Sequence, residues 1–191
     1  MQPLTQRDLW PLSVYEGVRE QFRREVIAAK KDRRITVGPF MTFVFENRLT
    51  VKFQVQEILR AEKIARPEDV EHELQGFNEM LPRPGELSAT LLVELTGPED
   101  EVAAELTKLT GMGKHVYLEI DGVRHAAFFD GDRDDGRRLA AVQYVRFPLG
   151  NDAAKLGDMK SRVYLSIDHP NYAGKLELGE AQRRSLAADL G

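Results

Sequence analysis

Between Glu46 and Glu62 the chain sets ionisable and amide side chains into an otherwise apolar helix pattern: ENRLTVKFQVQEILRAE. Gln56, Glu57, Arg60 and Glu62 sit among the valines, leucines and isoleucines. Polar groups on buried faces are costly unless they are paired. They therefore form either a structural network or a site. As a site, Glu46, Glu57 and Glu62 would offer carboxylates to a pocket, with Arg48 or Arg60 as an anion clamp. As structure, Glu57 and Arg60, three apart, would pair along the helix.

Further chemistry can be sought outside this segment. Asp69 and His72, three apart, form half of a carboxylate–histidine metal motif. Glu57, Glu62, Asp69 and His72 together make a candidate set for iron or another divalent metal. The bland alternative is a first-turn aspartate and a surface histidine. Asp130 to Gly136 begins like a calcium loop, but the sixth position is Asp135 and the twelfth Ala141, where glycine and glutamate are required. An acidic turn fits better. Asp168-His169-Pro170-Asn171 has turn chemistry, although a His–Asp couple there could move protons. His115 and His125 have no evident partner. There is no phosphate-binding glycine loop, dinucleotide fingerprint or nucleophile elbow.

The elements that must position these residues follow from periodicity. Ser13 and Glu16 match a capping box and open a helix to about Asp32, with Val14, Val18, Phe22 and Val26 as its buried stripe and Ile27 beside them. Arg33 to Val37 and Phe40 to Glu46 read as strands joined at Gly38-Pro39. A helix from about Leu49 to Ile64 follows. On a wheel of about 100° per residue, it is apolar on two sides. Glu62 falls among Val51, Val55, Ile58 and Leu59, without a local partner. Another helix runs from Pro67 to about Met80. The second half changes period. Leu87 to Leu95, Lys114 to Asp121, Val123 to Asp130, Leu139 to Leu149 and Arg162 to Asp168 read as strands, with Asp121-Gly122 as a hairpin turn. Helices are expected at about Pro98 to Thr110 and Gly179 to Leu190. Gly131 to Arg138 reads as the most mobile loop. The pattern predicts an α+β fold, with early helices on a mostly antiparallel sheet. The 191 residues suit one domain, with a helical lobe at 47–81.

Composition excludes several classes. The chain has no cysteine, which removes disulfides, thiol nucleophiles and cysteine-ligated clusters. No apolar run approaches the ~18 residues needed to span a bilayer, and MQPLTQRDLW lacks a signal-peptide layout. A cytoplasmic protein is expected. The net charge of −4 combines +5 over residues 1–66 with −9 over the remainder. The basic part is densest at Arg23, Arg24, Lys30, Lys31, Arg33 and Arg34. This could form an anion or nucleic-acid face, but the acidic remainder would repel a polyanion, and a solvated helix face with a basic turn is preferred.

The residues also carry a resemblance. Phe45-Glu46-Asn47-Arg48 followed by Gln54-Val55-Gln56-Glu57-Ile58-Leu59-Arg60-Ala61-Glu62 resembles the hallmark segment of a bacterial family, domain of unknown function 3501. His72-Glu73-Leu74 to Leu81-Pro82, Glu86-Leu87-Ser88-Ala89-Thr90 and Val142-Gln143-Tyr144-Val145-Arg146-Phe147 follow in matching order. One position departs from the pattern: Gln143 stands where histidine is expected. The family is uncharacterised, and its members are often encoded near rubrerythrin-like and iron–sulfur redox proteins. The resemblance thus implies an accessory or binding protein linked to iron or oxidative-stress metabolism, with such a redox protein as partner. The alternative is a cysteine-free metal-dependent enzyme using Glu46, Glu57, Glu62 and His72. Nucleic-acid binding through Arg23 to Arg34 is a third, weaker reading.

Overall fold

A computed structural model describes residues 1–130 and 138–190. It is an α+β fold built on two antiparallel sheets. The first sheet has the order β1 (Arg34–Val37), β2 (Met41–Phe45), β3 (Glu86–Val93), β7 (Val142–Pro148) and β6 (Phe128–Phe129). The second has the order β5 (Val123–Ala126), β4 (Val116–Ile120), β8 (Val163–His169) and β9 (Tyr172–Glu177). Five helices accompany them among the described residues: α1 (Leu12–Lys30), α2 (Arg48–Ala61), α3 (Pro67–Asn78), α4 (Glu99–Lys108) and α5 (Glu180–Ala187).

The strand period of two divides the first sheet cleanly. Phe43, Phe45, Leu87, Leu91, Val145 and Phe147 face inward and meet Leu118, Ile120, Val163 and Leu165 of the second sheet in one core. Leu106 of α4 and Leu186 of α5 join that core. The alternate residues Val44, Glu46, Ser88, Thr90, Tyr144 and Arg146 point the other way. There α2 and α3 bring Val51, Val55, Leu59 and Leu74 to a second apolar cluster. A third, Tyr15, Phe22 and Val26 with Phe53 and Leu49, joins α1 to α2. All five residues of β2 are buried because both of its faces are covered.

Two features bring the sheets together. The strand expected from Val123 to Asp130 divides at Ala127, where the chain passes from the second sheet to the first. At the opposite edges, Tyr172 Oη donates to the Val37 carbonyl at 2.5 Å and accepts from the Met41 amide at 3.2 Å. Gly174 permits this approach: a Cβ there would lie 2.9 Å from Val37 Cγ1.

Several expectations are corrected. Helix α1 starts at Leu12 behind Pro11, so Ser13 lies inside it and caps nothing. Its buried stripe is Tyr15, Phe22 and Val26, while Val14 and Ile27 are exposed. The expected Val18, Phe22 and Val26 do face the third cluster, and Tyr15 takes the place expected of Val14. Helix α2 is capped by Asn47, whose side chain accepts from the Leu49 and Thr50 amides while Thr50 Oγ1 accepts from the Asn47 amide. It ends at Ala61, and Lys63 takes a left-handed conformation at φ 56°. Strand β9 was not expected. Its sequence YAGKLE lacks alternation, and it is held as an edge strand by backbone pairing with β8.

Arg33 is the largest correction to the basic-face reading. It is 2% exposed. Its Nε donates to the Phe45 carbonyl at 2.9 Å, Nη1 to the Ser185 carbonyl at 3.0 Å and Nη2 to the Glu46 carbonyl at 3.1 Å. It also pairs with the buried Asp189. Burial raises the Asp189 pKa, against the pull of Arg33. Arg34 pairs with Glu94. Breaking a buried pair leaves a charge and several carbonyls stranded. Arg33→Ala is therefore expected to cost about 3–5 kcal/mol, read as a fall in the urea midpoint at unchanged slope.

Candidate functional site

The polar residues of α2 are reached by the chain's own N-terminal part. Glu57 faces α1. It accepts from Tyr15 Oη at 2.8 Å and from Arg19 Nε and Nη2 at 2.8 and 2.7 Å. This two-pronged guanidinium contact holds the Glu57 carboxyl down at about 2, against partial burial. Burial, and then the Glu57 carboxylate, pushes the Tyr15 phenol up. The expected Glu57–Arg60 pair exists at 3.6 Å, with Glu16 equally far from Arg60, and it is secondary to Arg19. Gln56 is fully buried and holds the Trp10 backbone at both its amide and its carbonyl. Arg48 pairs with Asp8 at 2.6 Å and holds that carboxyl at about 2.

Glu46 lies at the end of β2, 3% exposed. One oxygen accepts from Thr50 Oγ1 at 2.5 Å and Gln54 Nε2 at 3.1 Å, the other from Thr90 Oγ1 at 2.7 Å. Neutral donors thus surround it, and it ties β2, β3 and α2 together. Glu62 does not share its setting. Because α2 ends at Ala61, Glu62 is an exposed C-cap residue. The absence of a local partner has a simple cause: the side chain is in water.

The metal candidates stay apart. Glu57 is engaged by Arg19, Glu62 is exposed at the end of α2, and Asp69 and His72 are exposed on α3. Among the described residues, no group of three or more His, Asp or Glu converges as a metal set. The calcium-like residues Asp132, Asp134 and Asp135 and most of the loop Gly131 to Arg138 lie outside the described residues. Asp130 pairs with Arg146 at 2.5 Å. The His–Asp couple near Pro170 forms with a different histidine: Asp168 meets His115 at 3.1 Å and Arg124 at 2.7 Å, while His169 contacts the Thr110 carbonyl. Gln143 is buried on the inward side of β7 and donates to the Ala140 carbonyl. His125 lies 3.2 Å from Asp152.

A cleft of about 650 Å³ opens between α3 and β7. His72, Gly76, Phe77, Asp130 and Tyr144 are among its walls. Of these, the sequence marks His72 as a candidate ligand and Asp130 as the start of a calcium-like loop. Gly76 was the available signal for the rest, since a glycine inside an exposed helix is unfavourable unless space is needed. The partners Tyr15 and Arg19 were also missed, although their four-residue spacing puts them on one face of α1.

The family described as "Protein of unknown function (DUF3501)" matches residues 3–190. The chain belongs to this family. The hallmark of the family resemblance thus contains α2, with Glu57 and Gln56 turned toward the N-terminal part. A crystal structure titled as a novel protein of unknown function, from Burkholderia pseudomallei K96243 at 1.90 Å, is 32% identical. It covers 100% of both chains with a TM-score of 0.91. No curated protein matches the chain. Among the described residues, no helix is long and apolar enough to cross a membrane.

The depressed Glu57 pKa sets a pH window. The carboxylate contributes stability in full above its ordinary value of 4.5, and that contribution fades as pH falls toward about 2. Both partners are about a quarter exposed, so solvent weakens the pair. Glu57→Gln is expected to cost about 1 kcal/mol at neutral pH. The gap from the native protein should narrow between pH 4.5 and pH 2 in denaturant titrations.

Proposed function

We propose that this is a cytoplasmic accessory protein that binds a small ligand in the cleft between α3 and β7. The cleft itself carries the reading. Its volume of about 650 Å³ falls within the roughly 300–1,000 Å³ of small-molecule sites. Phe77 and Tyr144 give it aromatic surface, and His72, Glu73 and Asp130 give it polar groups for orientation. By contrast, the buried polar groups of α2 are taken up by Tyr15, Arg19, Trp10 and the threonines around Glu46. This supports a structural role for Gln56, Glu57 and Glu46.

The tie to iron or oxidative-stress metabolism, and to a rubrerythrin-like or iron–sulfur partner, comes from the family resemblance. The metal-dependent enzyme has no convergent ligand set among the described residues. Burial of Arg33 and pairing of Arg34 weaken the nucleic-acid reading.

Gly76 offers the test. Nothing lies within 4 Å of a Cβ built there, so a larger side chain can project without disturbing the helix. Small aryl fragments carrying hydrogen-bond donors should shift the amide resonances of Gly76, Phe77 and Tyr144, and Gly76→Trp should abolish those shifts while the protein stays folded. Fragments that perturb other surfaces, or none, would count against the cleft. Gly76→Ala should also raise stability by about 1 kcal/mol, because alanine suits a helix interior better.

A further inference from the structure

Residues 4–10 behave like a bound ligand more than a folded element. Their own structure is one 3-10 turn at Gln6–Asp8, with Thr5 and Asp8 bonded to each other. They are held against α2 and α3 by side chains of those helices. Asn78 accepts from the Leu4 amide at 2.7 Å and donates to the Leu4 carbonyl at 2.9 Å. Gln56 accepts from the Trp10 amide at 2.6 Å and donates to the Trp10 carbonyl at 3.3 Å. Each carboxamide therefore reads both backbone groups of one residue. A side-chain amide has the donor and acceptor for this pairing. It resembles the main-chain bonding by which extended peptides are captured at sheet edges. Because the contacts are to backbone, they do not require this particular sequence.

Selectivity comes from what lies between the two clamps. Leu4 is buried against the cluster that contains Val51, Val55 and Leu74, with Leu9 at the edge of that cluster. Asp8 pairs with Arg48 on the rim. Trp10 lies under the Lys52 ammonium, 3.6 Å from its ring centre.

We infer that the α2–α3 surface is a peptide-reading groove, closed in this chain by its own residues 4–10. In exchange, it accepts a segment of a partner protein that can take the same single 3-10 turn and has matching chemistry: apolar at the first and sixth positions, acidic at the fifth and aromatic at the seventh. This site uses residues different from those of the α3–β7 cleft and does not depend on it. The chain's own segment competes at an effective concentration on the order of millimolar, so the groove is hidden from dilute peptide until the strap is loosened.

The experiment uses the full chain and a fluorescein-labelled peptide with the sequence of residues 2–11, read by anisotropy. In the variant Leu4→Ala/Asp8→Ala the peptide should bind at least ten-fold more tightly than to the native protein. Adding Gln56→Leu should remove that gain, and a scrambled peptide should show none. Asp8→Lys, a rim change that sets a lysine against Arg48, is the second variant and keeps the test valid if the first does not fold. In the native protein, saturating unlabelled peptide should speed tryptic cleavage after Arg7 several-fold by displacing the strap. Equal affinity for native and loosened proteins, or no binding to a folded loosened protein, overturns the proposal. So does an unchanged cleavage rate.

Discussion

The buried guanidinium of Arg33 is the interaction on which the arrangement of layers depends. It sits where α1 turns into β1 and reaches the last carbonyls of β2 and the final helix together. A lysine could supply the charge but not the planar fork of five donors that these separate acceptors require. Two further buried arginines do similar work. Arg146 joins Glu86 and Asp130 to the carbonyls of Glu79 and Leu81, fixing the connection from α3 to β3. Arg183 donates to four carbonyls, those of Lys155, Leu156, Asp158 and Ser161. Irregular backbone would otherwise be buried with unmet acceptors. In this protein guanidinium groups meet that need and tie the connections to the body of the fold.

The two faces of the first sheet follow different physics. Toward the second sheet the contacts are aromatic and aliphatic, as between Phe43, Phe45 and Phe147. Toward the helices they are mixed, with Thr42, Glu46, Ser88, Thr90 and Arg146 all buried or nearly so. Apolar packing is non-directional, whereas hydrogen bonds fix orientation. The inner layer thus supplies cohesion. The outer layer sets where α2 sits, and with it the positions of Gln56 and Glu57.

Much of this was legible from periodicity. Eight of the nine strands among the described residues were foreshadowed in some form, because their inward residues alternate with polar ones or form short apolar runs. The exception, β9, carries no alternation, since beyond the buried Tyr172 it is held by backbone pairing with β8. The site was read less well. A helical wheel places Glu62 on a buried side only if the helix continues past it, and the left-handed Lys63 shows that it does not. Arg33 looked like surface charge because neighbours in sequence gave no hint of Ser185 and Asp189, more than 150 residues away. Glu57 has Arg60 as its partner by helical spacing, but the closer partner, Arg19, lies on another helix. Local pattern states that a buried charge must be compensated; only the tertiary arrangement names the compensating group.

Trp10 has a consequence of its own. It is the single tryptophan of the chain. It sits against Tyr15 and Phe22, with the Lys52 ammonium over its ring, and its backbone is fixed by Gln56. An indole in such surroundings has an emission spectrum that differs from that of an indole in water, and a nearby cation shifts it further. The strap therefore carries its own optical reporter. Whether residues 4–10 are seated or released is written in the protein's intrinsic fluorescence, without any label.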